Sequence, residues 1–335
     1  MSSKTVTTLL PPTSAAIHQA AETLREGGLV AMPTETVYGL AAAAENDVAV
    51  QAMFAAKGRP ADHPVIVHLA EARQLDEFAA LVPESARQLA AAFWPGPLTL
   101  VVRRNARISP LVTGGLPTVG LRVPAHPVAQ ALLRAFRGPL AAPSANRFGR
   151  VSPTTAQHVL GDLAGRVDLI LDGGPCEVGL ESTIVDCSGD AGSVVNVLRP
   201  GAITAEQIAQ VLHSEVAVAS AGSPRVSGSL PSHYAPRARV EIVPEAELFA
   251  RAAALAAQGE KVALLSRQLP PTSTNNVILL MIPADERQWA KNLYSLLRQV
   301  DERGCDAAVA ALPTGEGLSA AIADRLRRAA GRRDV

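Results

Sequence analysis

Leu29-Val30-Ala31-Met32-Pro33-Thr34-Glu35-Thr36-Val37-Tyr38-Gly39-Leu40 is the stretch on which the fold turns. Its four leading apolar residues read as a buried strand, and Pro33 stops it because proline cannot donate to a sheet ladder. The residues that follow predict a short helix from Thr34 or Glu35 through Ala43. Its free N-terminal N–H groups beside two threonine hydroxyls would form a polar-ligand site, with plain capping as the bland alternative. Upstream, 13–26 reads as a helix: Thr13 or Ser14 can cap it, Ile17, Ala20, Ala21 and Leu24 form one apolar face, and Gly27-Gly28 ends it. Downstream, helices are expected at 47–56, 84–93, 126–136, from Pro153, and at 204–212. Strands are expected at 65–69, 98–103, 118–123, 139–142, 168–171, 182–186 and 194–198. Several strands follow one another without a helix, so the class is α/β with a mixed sheet.

The chain has 335 residues, which suggests two domains. Residues 214–237 change character, with Ser223-Pro224, Ser227-Gly228-Ser229 and Pro231-Ser232 in succession. Such a segment reads as a linker or lid between a domain at 1–213 and another at 238–335. The second half alternates strand 239–243, helix 245–258, strands 261–266 and 277–282, helix 285–303, strand 306–311 and helix 317–330. That is a small Rossmann-like α/β domain, and without G-x-G-x-x-G it gives no sign of a dinucleotide site.

Bulk properties exclude several classes. No apolar run is long enough for a membrane span, and no signal peptide is evident. Formal net charge is +0, which argues against a dedicated nucleic-acid binder. Cys176, Cys187 and Cys305 lack C-x-x-C spacing, so neither a disulfide framework nor a zinc site is indicated, and a reducing cytosol fits.

Four clusters can carry chemistry. The first is the Thr34–Leu40 stretch. The second, Lys57-Gly58-Arg59-Pro60 through His63 to His68, sets a point charge and a planar fork in one turn before a strand, which suits a triphosphate and a carboxylate; a solvated basic loop is the alternative. In the third, Thr118–Pro124, Arg122 lies among Val and Leu and needs a ligand or a structural ion pair. The fourth, Leu140-Ala141-Ala142-Pro143-Ser144-Ala145-Asn146, runs a strand into a small polar loop, where α/β sheets bind ligands. Ser152 before Pro153 can also serve as a helix cap. Glu181-Ser182-Thr183 and Leu198-Arg199-Pro200-Gly201 are lesser candidates. No Walker A, G-x-S-x-G or H-E-x-x-H occurs. Cations, hydroxyls and an amide without a nucleophile–base pair suit phosphoryl or nucleotidyl transfer.

P-T-E-T-x-Y-G-L, K-x-R-P, G-x-R-x-P and P-S-A-N, in this order over about 13–212, resemble the YrdC-like threonylcarbamoyl-AMP synthase family. His233-Tyr234-Ala235-Pro236 and the α/β tail resemble its long form, although Ser229-Leu230-Pro231-Ser232 departs from the Gly-Met and Arg usual there. The resemblance implies an open, twisted N-terminal α/β domain with a positively charged cavity. It implies a catalytic constellation of Lys57, Arg59, Ser144 and Asn146. Threonine would be held by Thr36, His68, Arg122, Ala142 and Ser182. ATP would be held by Arg59, His63, Thr118, Ser144, Ser152, Arg199, His233 and Tyr234, with magnesium on its phosphates. Implied partners are ATP, L-threonine, bicarbonate and a tRNA threonylcarbamoyl-transfer complex that takes the product, in the cytoplasm. The rival class is an RNA-binding module of the same fold. A hydrogenase-maturation carbamoyl-transfer enzyme would need Cys clusters that are absent.

Overall fold

The computed structural model describes residues 6–190, 192–218, 226–228, 233–272 and 274–331. The chain forms two units, Met1–Phe148 with Ser152–Ser229, and Gly149–Val151 with Leu230–Val335. The first unit runs β1 (Thr8–Leu10), α1 (Ser14–Arg25), β2 (Val30–Met32), β3 (Gly39–Ala43), α2 (Asp47–Lys57), β4 (Val67–His68), α3 (Leu75–Phe78), β5 (Ala79–Leu81), α4 (Glu84–Phe93) and β6 (Leu98–Arg104). It continues through α5 (Pro110–Thr113), β7 (Thr118–Arg122), α6 (Pro127–Phe136), β8 (Leu140–Ala141), α7 (Ala156–Leu163), β9 (Leu169–Leu171), β10 (Thr183–Asp186), β11 (Val195–Arg199), α8 (Ala205–Leu212) and β12 (Val216–Val218). The strands join in the order β1-β9-β2-β3-β8-β4-β7-β6-β10-β11-β12, with β5 added beside β6.

The sheet is mixed, as the runs of strands without helices predict. β4 and β7 are parallel, β6 and β7 antiparallel, and β6 and β10 parallel. Two apolar layers hold it. Ala20, Leu24, Leu132 and Leu133 of α1 and α6 close over Val30, Met32 and Leu171. A larger layer gathers Val50 and Met53 of α2, Leu89 of α4 and Val159 of α7 over Leu40, Val67, Leu100 and Leu121. Helix ends follow local chemistry: Asn46 caps α2 through its side chain, and Gly58 in the left-handed region ends it.

The helix expected from Thr34 to Ala43 does not form. Thr34 Oγ1 accepts the N–H groups of Thr36 and Val37 at 3.2 Å, closing a turn. Gly39–Ala43 then pairs antiparallel with β2, Met32 facing Gly39. These small residues favour helix in isolation, but they are buried throughout and find their backbone partners in β2 and β8. The helix expected from Pro153 begins at Ala156, capped by Thr155. Pro153 stays outside it, and its carbonyl accepts the Tyr38 N–H at 2.9 Å. Ser152 is therefore no helix cap.

The linker expected at 214–237 is not one free segment. Val216–Val218 is an edge strand parallel to β11, and Val226 packs with Val101, Ile184 and Leu198. Ser223, Pro224, Ser229, Leu230, Pro231 and Ser232 lie outside the described residues.

The second unit contains β13 (Arg239–Ile242), α9 (Leu248–Ala257), β14 (Val262–Ser266), β15 (Val277–Met281), α10 (Glu286–Glu302), β16 (Ala307–Ala310) and α11 (Leu318–Ala329). Its strands are all parallel, in the order β13-β16-β14-β15. The near-continuous apolar runs of β14, β15 and β16 suit a parallel sheet covered by helices, while β13 at the edge alternates. Among the described residues, no helix is long and apolar enough to cross a membrane.

Gly201 closes the turn after β11. A Cβ there would stand 2.5 Å from the Thr183 nitrogen and 2.8 Å from the Glu181 carbonyl oxygen, both backbone atoms at the entry to β10. Gly201→Ala is expected to lower stability by roughly 1–3 kcal/mol in urea unfolding of the full chain. An unchanged midpoint would contradict that close approach.

Candidate functional site

Alternation along β7 puts Thr118, Gly120 and Arg122 on one sheet face. A groove on that face is lined by Ile66, Thr99, Val101, Thr118, Gly120, Ile184, Val226 and Ser227. Gly120 keeps the floor low, since a Cβ would lie 3.1 Å from Thr99 Cγ2. At the end of β7, Arg122 is 3 % exposed. Its Nη2 pairs with Glu35 Oε1 at 2.7 Å, its Nη1 donates to Thr36 Oγ1 at 2.8 Å and its Nε donates to the Gly96 carbonyl at 3.2 Å. The other Glu35 oxygen accepts the Ala125 N–H at 3.1 Å. The Thr34–Thr36 turn thus serves as the polar wall beside Arg122.

His68 lies next to Arg122 in the parallel register. Burial, reinforced by the Arg122 charge, lowers its pKa to about 3, so the imidazole is neutral. Ala142, just past β8, donates its N–H to the Ile66 carbonyl at 3.0 Å.

The Pro143–Asn146 loop is tied down from both sides. Leu40 N–H donates to the Pro143 carbonyl at 2.7 Å, and Ala145 N–H donates to the Tyr38 carbonyl at 2.8 Å. From the last turn of α2, Lys57 Nζ donates to the carbonyls of Ser144 and Asn146, each at 2.5 Å. Burial, followed by the nearby Arg59 charge, pushes the Lys57 ammonium well below its usual pKa. Lys57 therefore braces this loop through main-chain atoms. Ser144 remains half-buried, and Asn146 Nδ2 donates to the Arg147 carbonyl at 2.8 Å. Arg59 donates to the Pro64 carbonyl at 2.8 Å and lies over the Phe148 ring, which His63 also meets at 5.5 Å between centroids.

A third group closes the face. Ser182 Oγ is 2.7 Å from Thr99 Oγ1, and Arg199 Nη2 donates to Ser182 Oγ at 3.2 Å. Arg199 also donates to the carbonyls of Ser182 and Ser227. Ser152 Oγ donates to Glu181 Oε1 at 2.6 Å.

Thr36, Arg122 and His68 thus share one neighbourhood, Lys57, Ser144 and Asn146 a second, and Ser182 and Arg199 a third. His233 and Tyr234 belong to the second unit. Tyr234 stacks on Tyr294 with centroids 5.5 Å apart, Arg325 lies 5.3 Å over its ring, and His233 N–H donates to the Arg328 carbonyl at 3.1 Å. Two carboxylates, Glu35 and Glu181, lie inside stretches that the sequence marks but carry no role in its reading. The signal for Glu35 was its place between two threonines in the same turn. Among the described residues of the first unit the buried charged side chains are Lys57, Arg59, Arg122 and Arg199 against Glu35 and Glu181, an excess of positive charge suited to an anionic ligand.

The sequence matches the family model described as "Telomere recombination" over residues 22–201 and the one described as "Threonylcarbamoyl-AMP synthase, C-terminal domain" over 203–331. It is 40% identical over 330 residues to a threonylcarbamoyl-AMP synthase of Pyrococcus abyssi, covering 95% of each chain. It is likewise 40% identical over 335 residues to one of Bacillus subtilis, covering 95% of this chain and 94% of that one. The solved structure of P. abyssi Sua5 complexed with L-threonine superposes with a TM-score of 0.87 at 37% identity, over 98% of both chains.

The neutral His68 has a consequence for stability. Its folded pKa of about 3 lies below its ordinary 6.5, so between those values the unfolded chain binds the extra proton. Stability then falls as pH drops through that window, by up to about 1.4 kcal/mol per pH unit from this group. His68→Gln is expected to flatten the pH dependence of the urea midpoint between about pH 6 and pH 4. An unaltered slope would mean that His68 is protonated in the folded chain.

Proposed function

The chain belongs to the threonylcarbamoyl-AMP synthase family in its long form, and we propose that it forms threonylcarbamoyl-adenylate and pyrophosphate from L-threonine, bicarbonate and ATP. The observation that carries this reading is the burial of Arg122, Arg199, Lys57 and Arg59 against Glu35 and Glu181 among the described residues of the first unit. A site with surplus buried cations and several hydroxyls suits a polyphosphate and an amino-acid carboxylate together. In this reading the protein is a nucleotidyltransferase acting in the cytoplasm. Its product goes to a complex that transfers the threonylcarbamoyl group to adenosine 37 of tRNA.

Threonine would lie at Thr36, His68, Arg122, the Ala142 backbone and Ser182, with its carboxylate on Arg122. ATP would lie at Arg59, His63, Thr118, Ser144, Ser152 and Arg199. The threonine amine adds to carbon dioxide drawn from bicarbonate, losing a proton to give the carbamate. A carbamate oxygen then attacks the α-phosphorus, and the bond to the β-phosphate oxygen breaks as pyrophosphate leaves. Lys57 acts by holding the carbonyls of Ser144 and Asn146, which fixes the loop beneath the phosphates. Val226 and Ser227, on the same sheet face, would help exclude water from a carbamate and an acyl-adenylate that both hydrolyse.

Magnesium would arrive on the triphosphate and neutralise phosphate charge. The donors fit that arrangement, because Glu35 and Glu181 are engaged with Arg122 and Ser152. No group of three His, Cys, Asp or Glu poised for a metal occurs among the described residues.

Pyrophosphate release from ATP should require both threonine and bicarbonate, with serine a poorer substrate by the ~1–3 kcal/mol that one methyl contact supplies. Turnover without bicarbonate would refute the assignment. Lys57→Ala and Arg59→Ala should each lower turnover by roughly 10²–10³, and Arg122→Ala should raise the threonine requirement more than the ATP requirement. A change in ATP dependence alone would remove Arg122 from the carboxylate role.

A further inference from the structure

Arg122 reaches the site already engaged. Four of its five N–H hydrogens point in two forks, one made by Nε with Nη2 and the other by Nη1 with Nη2. A carboxylate that binds a guanidinium through both oxygens uses one fork or the other, so either mode needs Nη2. Glu35 Oε1 lies 2.7 Å from Nη2 as an ion pair, but neither atom makes an aligned hydrogen bond. Thr36 Oγ1 holds Nη1 and the Gly96 carbonyl holds Nε. Glu35 itself binds with one oxygen only, since Oε2 takes the Ala125 N–H at 3.1 Å. Both side chains are buried, Arg122 at 3 % and Glu35 at 5 % exposure. A guanidinium this deep needs a negative partner when no substrate is present.

We infer that Glu35 is a resident stand-in for the substrate carboxylate: it neutralises Arg122 in the empty site and must yield Nη2 before threonine can bind through both carboxylate oxygens. This rests on the functional reading above. Once displaced, Glu35 stays buried beside the incoming carboxylate, so the exchange costs part of the substrate's binding free energy. The one-oxygen grip of Glu35 is weaker than the two-oxygen grip of the incoming group, which lets the substrate win. Glu35 keeps its Ala125 contact throughout and so has a place to remain once displaced. Glu35 is thus a positioning residue that sets how tightly threonine is held. Its competition reduces the fraction of chains in the binding-competent arrangement, and apparent affinity scales with that fraction.

The test is Glu35→Gln in the full chain, which keeps the side-chain shape and one acceptor oxygen but removes the charge. The KM for threonine is expected to fall by roughly fivefold or more while the KM for ATP stays within about twofold. Without threonine the variant should melt at lower temperature than the unmodified chain, and saturating threonine should raise its Tm by more. If Glu35→Gln fails to fold, Glu35→Asp serves instead. Its shortened carboxylate should loosen the hold on Nη2 and lower the KM for threonine by a smaller factor. A raised threonine KM in either folded variant would mean that Glu35 stays on Arg122 and helps to hold the substrate, and the inference would fall. Loss of every threonine effect in the unmodified chain would overturn the functional reading and this inference with it.

Discussion

An ammonium at the end of a helix holds this site in shape. Lys57 Nζ lies between the carbonyls of Ser144 and Asn146, and its own backbone carbonyl accepts the Phe148 N–H at 2.9 Å. Three contacts from one residue therefore fix a loop that has no regular secondary structure. Such a loop has unsatisfied backbone acceptors, and burying them without donors would be costly. A lysine can satisfy two at once from a single flexible stem, which a planar guanidinium would do less well in the same space. Once the loop is fixed, Ala145 can pair with Tyr38, Leu40 with Pro143, and the turn carrying Glu35 and Thr36 is held against Arg122.

The pattern of buried polar groups follows from that frame. Hydroxyls at Thr34, Thr36, Thr99 and Ser182 are each matched within about 3 Å by another side chain or carbonyl. Buried charges meet them directly, Arg122 at Thr36 and Arg199 at Ser182. The apolar layers on either side of the sheet fill in the ordinary way and set the strand order that brings β4, β6, β7 and β10 side by side.

Much of this was legible before any coordinates. Helices α1, α2 and α4 stand within two residues of the expected 13–26, 47–56 and 84–93. Gly39–Ala43 misled because an alanine-rich run has a helical preference that only its neighbours in the sheet override. Strands of two or three residues, such as β1, β5 and β12, carry too little pattern to be read alone. The motif residues were visible as unusual polar groups at strand ends. Their mode of action was harder to see. Lys57 looked like a ligand for phosphate, yet its side chain points into backbone carbonyls, a role set by main-chain geometry distant in sequence. Glu35 was overlooked because a carboxylate in a turn is unremarkable until Arg122, 87 positions later (122 − 35), is found beside it.

The second unit borrows three residues from the middle of the chain. Gly149–Val151 belongs with Leu230–Val335, where Ala235 N–H donates to the Gly149 carbonyl and Arg298 Nη2 donates to the Val151 carbonyl across 147 residues of sequence. During synthesis on the ribosome this tripeptide emerges early and then waits for partners not yet made. The first unit can condense behind it, but the second cannot complete its own contacts until nearly the whole polypeptide has been released. Vectorial assembly therefore ends with a long loop closure, and the two halves of the gene are not interchangeable cassettes: a single crossover placed between them would give the incoming second unit a tripeptide from a different parent.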